Sequence, residues 1–209
     1  MQTDDVSAIF QALEAQRPHP RGELNHDNPF QLLVAVVLSA QATDVGVNKA
    51  TPALFAAAPN PRALADLGVE GIKHFIRTIG LYNSKAQHLH ALALALLERH
   101  GGEVPGQRAA LEALPGVGRK SANVVLNIAF GQPVIAVDTH VFRVANRTGL
   151  APGRTPEAVE RALMATVPTV YLGHAHHWLV LHGRHVCRAR QPLCADCVIS
   201  TWCREYPGP

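Results

Sequence analysis

A chain of 209 residues is long enough for one large domain or two small ones, and a hydrophobic content of 47% supports a true core. Only 5% of the residues are aromatic, so that core must be built mainly from Ala, Leu and Val, which suits packed helices and argues against a strand-rich sandwich. The net charge of +3 is mildly basic: it is compatible with a nucleic-acid partner without demanding one.

The opening MQTDDVSAIF is acidic and lacks the basic region and small-residue cleavage site of a secretory signal. The longest apolar run, 30–42, is too short to span a bilayer and carries Gln31, Ser39 and Gln41. A soluble, cytoplasmic protein is expected, associated with the nucleoid if it is bacterial, and acting as a monomer.

In chain order, Thr3 is a candidate cap for a helix that the Pro18/Pro20 pair stops. Pro29 opens a very apolar helix through Leu32, Leu33, Val36 and Val37, and Asp44 is placed to cap the next, which ends before Pro59. Two short helices are expected over 61–67 and 69–79, then a longer one over 83–100 that Gly101 and Gly102 terminate. Another helix closes over 111–114 before the turn Pro115-Gly116-Val117-Gly118, and a further one runs from there to Gly131. Helices are expected over 138–148, stopped by Gly149, from Thr155-Pro156-Glu157 onward, and over 170–186. The one strand-like piece, 133–137, is too short and isolated to support a sheet, so the fold class is all-α.

The four cysteines, Cys187, Cys194, Cys197 and Cys203, follow the spacing C-x6-C-x2-C-x5-C within 17 positions. Their confinement points to one small metal site rather than to disulfides in a reducing compartment. Zinc usually takes four thiolates from paired C-x2-4-C knuckles, whereas a [4Fe–4S] cube often takes them from one irregular loop. A single knuckle with unequal flanking loops favours the cube on spacing and leaves zinc open. Arg188, Arg190 and Arg204 edge this loop with positive charge, which suits a phosphate-facing surface. His174, His176 and His177 lack an HExxH pattern or a matching carboxylate and read as helix surface and packing.

The most informative stretch is LPGVGRK, 114–120. Gly116 and Gly118 permit a tight turn with exposed N–H groups, and a helix starts at once behind it. Backbone amides plus a helix N-terminus form an anion site, and a nucleic-acid phosphate is the obvious anion. An ordinary helix–turn–helix corner is the plainer alternative. Lys120, in the first helical turn, stands where a cation is disfavoured, and a neutral amine is a nucleophile able to form a Schiff base. A solvated, phosphate-binding lysine fits the same position. At helical spacing Lys120, Asn123 and Asn127 share a polar face, with Val124, Val125 and Ile128 turned inward. Asp138, in VDTH, occupies an N-cap position and could also stabilise a cationic sugar or move a proton.

Together these pieces resemble the helix–hairpin–helix DNA glycosylases, and among them the endonuclease III family. LPGVGRKSANVVLN is similar to that family's hairpin and catalytic lysine, VDTHVFRVANR to its aspartate segment, and the four-cysteine tail to its [4Fe–4S] loop. LLVAVVLSAQATDVGVNKA and IGLYNSKA resemble its damage-pocket and wedge regions, and Ser121 stands where threonine is more usual. The match covers nearly the whole chain in order.

The resemblance implies a six-helix domain over 25–132 and a cluster domain made of 1–24 and 133–209, with DNA lying across the cleft where Lys120 and Asp138 meet. It implies a bifunctional DNA glycosylase and AP lyase of base-excision repair. Such an enzyme removes oxidised pyrimidines from damaged duplex DNA through a Lys120 Schiff base and nicks the strand 3′ to the site. Asp138 assists, and Cys187, Cys194, Cys197 and Cys203 hold the [4Fe–4S] cluster. Gly116 and Gly118 hold phosphate, Leu81 wedges into the vacated stack, Gln41 faces the orphaned base, and Ser39, Asp44 and His140 line the pocket. The alternatives are a pyrimidine-dimer or mismatch glycosylase of the same superfamily, or a non-catalytic DNA-binding or redox-sensing iron–sulfur module.

Overall fold

The computed structural model describes residues 1–20 and 22–206, and among these it is helical throughout, with no strand. Ten α-helices follow one another: α1 (Thr3–Gln16), α2 (Pro29–Ser39), α3 (Asp44–Ala57), α4 (Pro61–Ile76), α5 (Tyr82–His100), α6 (Arg108–Glu112), α7 (Arg119–Phe130), α8 (Thr139–Thr148), α9 (Pro156–Thr166) and α10 (Thr169–His185). Two single 3-10 turns, Cys194–Asp196 and Ser200–Trp202, follow in the cysteine loop. No helix among the described residues is long and apolar enough to cross a membrane. The 133–137 segment forms no strand, and the Val134 N–H donates to the Gln132 carbonyl at 2.8 Å.

Local chemistry explains most boundaries. Asn28, Asn60 and Thr155 each accept a first-turn N–H through the side chain, and each precedes a proline at the first helical position. Two expected caps shift by one residue. Gln2, not Thr3, is the N-cap of α1, with its N–H donated to Asp5 Oδ2 at 3.2 Å. Thr43, not Asp44, caps α3 by accepting from the Gly46 N–H at 3.1 Å. In both places neighbouring polar residues compete for the cap, and sequence cannot rank them. The two short helices expected over 61–79 are both present within α4, separated by a kink at Gly68, whose φ of 64° and ψ of 175° no helix contains. At the end of α5, Gly101 turns left-handed and the Gly102 N–H donates to the Leu96 carbonyl at 2.9 Å.

The chain folds as two compact units, Glu23–Gly131 and Met1–Gly22 with Gln132–Pro209. In the first, α2 is the spine: every residue from Phe30 to Leu38 is buried, and the helix packs on α3, α5 and α7. A helix apolar on all sides is stable only when other helices surround it. In the second unit, Val6, Ile9, Phe10 and Leu13 of α1 join Val141, Val144, Leu163, Leu172 and Leu179 in one core. Phe10 stacks on Tyr171 at 5.6 Å and meets Trp178 at 6.2 Å, while Trp178 Nε1 donates to the Arg17 carbonyl at 2.8 Å. These contacts dock the N-terminal helix on the C-terminal ones across a wide sequence gap.

Candidate active site and cysteine loop

The hairpin forms where α6 ends and α7 begins. Leu114 and Val117 are buried anchors, and the Val117 N–H donates to the Leu114 carbonyl at 3.1 Å, closing a four-residue turn. Pro115 at the second position and Gly116 at the third, with φ +79°, are the signature of a type II turn. A side chain at Gly116 would also put its Cβ 3.0 Å from His88 Cβ and 3.3 Å from Val37 Cγ1. Gly118, by contrast, has ordinary extended φ and ψ and open space where a Cβ would lie. Gly118 is the N-cap of α7, and no side chain caps that helix start. Lys120 is exposed at the second position of α7.

Of the expected polar face of α7, Lys120 reaches solvent and the two asparagines do not. Asn123 and Asn127 are buried alongside Val124 and Val125, Asn123 Oδ1 accepts from Arg108 Nε at 2.9 Å, and Ile128 is only half-buried. Asparagine spacing identified a stripe but not whether water or protein covers it.

A second turn of the same type lies at the end of α2. The Ala42 N–H donates to the Ser39 carbonyl at 3.1 Å, Ala40 has φ −57° and ψ 114°, and Gln41 follows with φ +54°. Left-handed backbone costs a non-glycine residue about 1–2 kcal/mol. Leu81, just before α5, is also left-handed with φ 61°, and its side chain is 58% exposed. The two turns touch, since a Cβ on Gly80 would sit 3.7 Å from the Gln41 carbonyl oxygen. Gln41, Leu81 and Gly116 are therefore tied together through α2 and α5. Ser39 donates its hydroxyl back to the Val36 carbonyl at 2.8 Å, and Asp44 is half-buried in the first turn of α3.

In the other unit, Asp138 caps α8: its Oδ1 accepts from the His140 N–H at 2.9 Å and the Val141 N–H at 2.8 Å. Both bonds fall on one oxygen, so capping leaves Oδ2 outside the cap. His140 Nδ1 lies 3.2 Å from Arg143 Nη2, and that guanidinium also donates to the Gly183 and Cys187 carbonyls at 2.8 and 2.9 Å. A Cβ on Gly183 would come within 2.8 Å of His140 Cβ, so only glycine lets α10 approach α8 this closely.

The cysteine loop hangs from α8. Arg147 donates to the Arg188 and Ala189 carbonyls at 2.7 and 3.1 Å, lies 3.8 Å from Cys187 Sγ and pairs with Glu205 at 3.5 Å. All four cysteines are half-buried and free, and they line one recess together with His182, Val186, Pro192 and Leu193. Among the described residues no three His, Cys, Asp or Glu side chains stand close enough to hold a single ion. The donors around this recess are the four cysteine sulfurs and the His182 ring. Burial pushes the Cys197 and Cys203 thiols up, and the neighbouring cysteines add to the effect, so these thiols resist ionising unless a cation gathers them. Burial, with the Arg17 charge adding, lowers His182 to about 4, and its neutral ring lies 3.5 Å from Cys197 Sγ. His176 bonds the Ala136 carbonyl at 2.8 Å and His174 meets Trp178 edge-on with ring centroids 5.5 Å apart, so both have packing roles.

Sequence reasoning passed over Lys85, Arg143 and Arg147. Lys85 had a signal: it continues the apolar stripe of Leu89, Leu92 and Leu96 at helical spacing, yet carries a charge, and it is 4% exposed.

A family model described as HhH-GPD superfamily base excision DNA repair protein matches residues 34–169. The endonuclease III of Escherichia coli strain K12 is 59% identical over 198 residues, covering 95% of this chain and 93% of that relative. The endonuclease III of Rickettsia conorii strain Malish 7 is 53% identical over 206 residues, covering 99% and 98%. A solved structure of a trapped covalent endonuclease III–DNA intermediate is similar with a TM-score of 0.92 at 41% identity, covering 99% of this chain and 97% of that one.

Proposed function

Because the chain belongs to the HhH-GPD superfamily of base excision DNA repair proteins and, within it, to the endonuclease III family, we propose that it excises oxidised pyrimidines from duplex DNA through Lys120. It is a base-excision repair DNA glycosylase and AP lyase, and its partner is DNA.

A base inside a duplex is out of reach of any side chain, so the nucleotide must first leave the stack. The N–H groups of Gly116 and Gly118 and the uncapped start of α7 hold a backbone phosphate beside it. Leu81 fills the vacated space and Gln41 meets the orphaned base, while Ser39, Asp44 and His140 are assigned to recognise the extruded one. The Lys120 amine attacks the sugar C1′, and the C1′–N bond electrons leave with the base, which takes up a proton. The Asp138 carboxylate stabilises the positive charge that develops on the sugar and serves as proton carrier. Opening of the sugar ring gives a Schiff base at Lys120, which acidifies the C2′ proton. Loss of that proton expels the 3′ phosphate and cuts the strand, and water then frees the lysine. Cys187, Cys194, Cys197 and Cys203 are the ligands of a [4Fe–4S] cluster, whose contribution when bound is to fix the loop by four thiolate bonds. The cluster assignment is supported by the four free cysteines that line one recess and by the family to which the chain belongs.

The single observation that carries the reading is the type II turn at Leu114–Val117 running straight into an uncapped helix start with Lys120 exposed in its first turn. It is tested by incubating the purified protein with duplexes that each carry one lesion: an oxidised pyrimidine, a pyrimidine dimer, a mismatched thymine or an abasic site. Base release and a 3′-side nick at oxidised pyrimidines and abasic sites are expected. Activity confined to dimers or mismatches contradicts the substrate assignment.

A further inference from the structure

Lys85 is a buried charge that the chemistry above does not use. It stands in the first turn of α5, four residues after Leu81, and it is 4% exposed. Its ammonium donates to the Leu38 carbonyl on α2 at 2.9 Å. That carbonyl lies one residue before the Ser39–Ala42 turn, among the end groups of a helix that have no partner within it. Its neighbours are satisfied locally: Val36 by the Ser39 hydroxyl, Val37 by the Ala40 N–H, and Ser39 by the Ala42 N–H. Leu38 alone among these is served from outside, and by a cation, the charge that the C-terminal end of a helix dipole favours.

Burying an ammonium on a single carbonyl is expensive, and desolvation lowers the Lys85 pKa accordingly. An apolar side chain would pack in the Leu89–Leu92–Leu96 stripe at no such cost. The Lys85 bond instead joins two segments that each lead to a left-handed, non-glycine residue. Gln41 begins three residues beyond Leu38, and Leu81 ends one turn before Lys85, with Gly80 against the Gln41 carbonyl. The Leu81 carbonyl accepts both the Lys85 N–H at 3.0 Å and the Ser84 hydroxyl at 3.1 Å, so the start of α5 follows Lys85 closely.

We infer that Lys85 is a positioning residue for duplex opening: by clamping the end of α2 to the start of α5 it sets the distance and direction at which Gln41 and Leu81 enter the base stack. This role rests on Gln41 and Leu81 being the residues that enter the duplex. Lys85 itself touches no DNA. Its effect is therefore felt where a stack must be opened and filled, and is absent where there is no stack.

The experiment compares single-turnover base release from an oxidised pyrimidine in a fully paired duplex with borohydride trapping on a single-stranded abasic oligonucleotide. Lys85→Met is expected to lose about tenfold or more on the duplex, the scale on which misplacement of positioning groups acts, while trapping on the single strand changes less than about threefold. Lys85→Arg, which keeps the charge and the donors, should recover most of the duplex rate. Should Lys85→Met fail to fold, Lys85→Gln gives the same comparison with a shorter, neutral donor. Equal losses on both substrates, or no loss on either, overturn the role, because a purely structural lysine would not separate them. Leu81→Ala and Gln41→Ala run alongside. If they too leave the duplex-to-single-strand ratio at the wild-type value, the assignment of the wedge residues fails, and the role of Lys85 falls with it.

Discussion

Two turns of the same geometry serve this site, and they are made in opposite ways. Leu114–Val117 has proline at its second position and glycine at its third, the residues that a type II turn asks for, so its backbone is relaxed by its own sequence. Ser39–Ala42 has alanine and glutamine in those places, and Gln41 occupies the left-handed position at a cost. What holds it lies outside those two residues: the end of α2 that precedes it and the Lys85 ammonium on the Leu38 carbonyl. The first turn presents backbone amides, for which small residues suffice. The second presents a side chain, so glycine cannot take the position however well it would fit the backbone.

Substitutions can break or sharpen this contrast. The largest effect is expected from Gly116→Val, which forces a β-branched residue to φ +79° and pushes Cβ against His88 and Val37. It should lower unfolding free energy by roughly 2–4 kcal/mol, read from the denaturant midpoint, and weaken DNA binding as well. Gly118→Ala meets open space at ordinary backbone angles, so it should cost under about 1 kcal/mol of stability while weakening binding measured across a salt series. Equal destabilisation by the two would mean that the turn is not the relaxed element described. The smallest change, and of opposite sign, is expected from Gln41→Gly. Relief of the left-handed backbone is partly offset by the entropy glycine gains in the unfolded chain, leaving stability about 0.5 kcal/mol higher or level. Excision from paired duplex should nevertheless fall. A loss of more than about 1 kcal/mol in that variant would show that Gln41 is not strained.

The same contrast explains what could be read in the sequence. The Pro-Gly turn, the Asp138 cap and the cysteine spacing each announce themselves in a few adjacent residues, because the chemistry that makes them is local. The Gln41 turn does not, because neither Ala40 nor Gln41 favours it and the ammonium that helps hold it comes from α5. The burial of Asn123 and Asn127 is illegible for a related reason: periodicity gives the angular position of a residue around its helix, and the covering partner, here the Arg108 side chain for Asn123, comes from a different element. Arg143 and Arg147 look like ordinary basic residues of an amphipathic helix. Only the fold brings the carbonyls of Gly183, Cys187, Arg188 and Ala189 within their reach.

The central claim is that Lys120, at the start of α7 behind the phosphate-holding turn, becomes covalently joined to DNA. The direct measurement is borohydride trapping on duplex carrying an oxidised pyrimidine or an abasic site, with wild type and Lys120→Gln compared at equal DNA occupancy. Wild type should give a stable protein–DNA adduct whose modified peptide contains Lys120. Lys120→Gln should bind and fold yet lose both adduct and base release, by several orders of magnitude in rate, as removal of a covalent nucleophile does. An undiminished adduct in Lys120→Gln would assign the attack to another amine, and base release by wild type with no adduct and no nick would assign it to water.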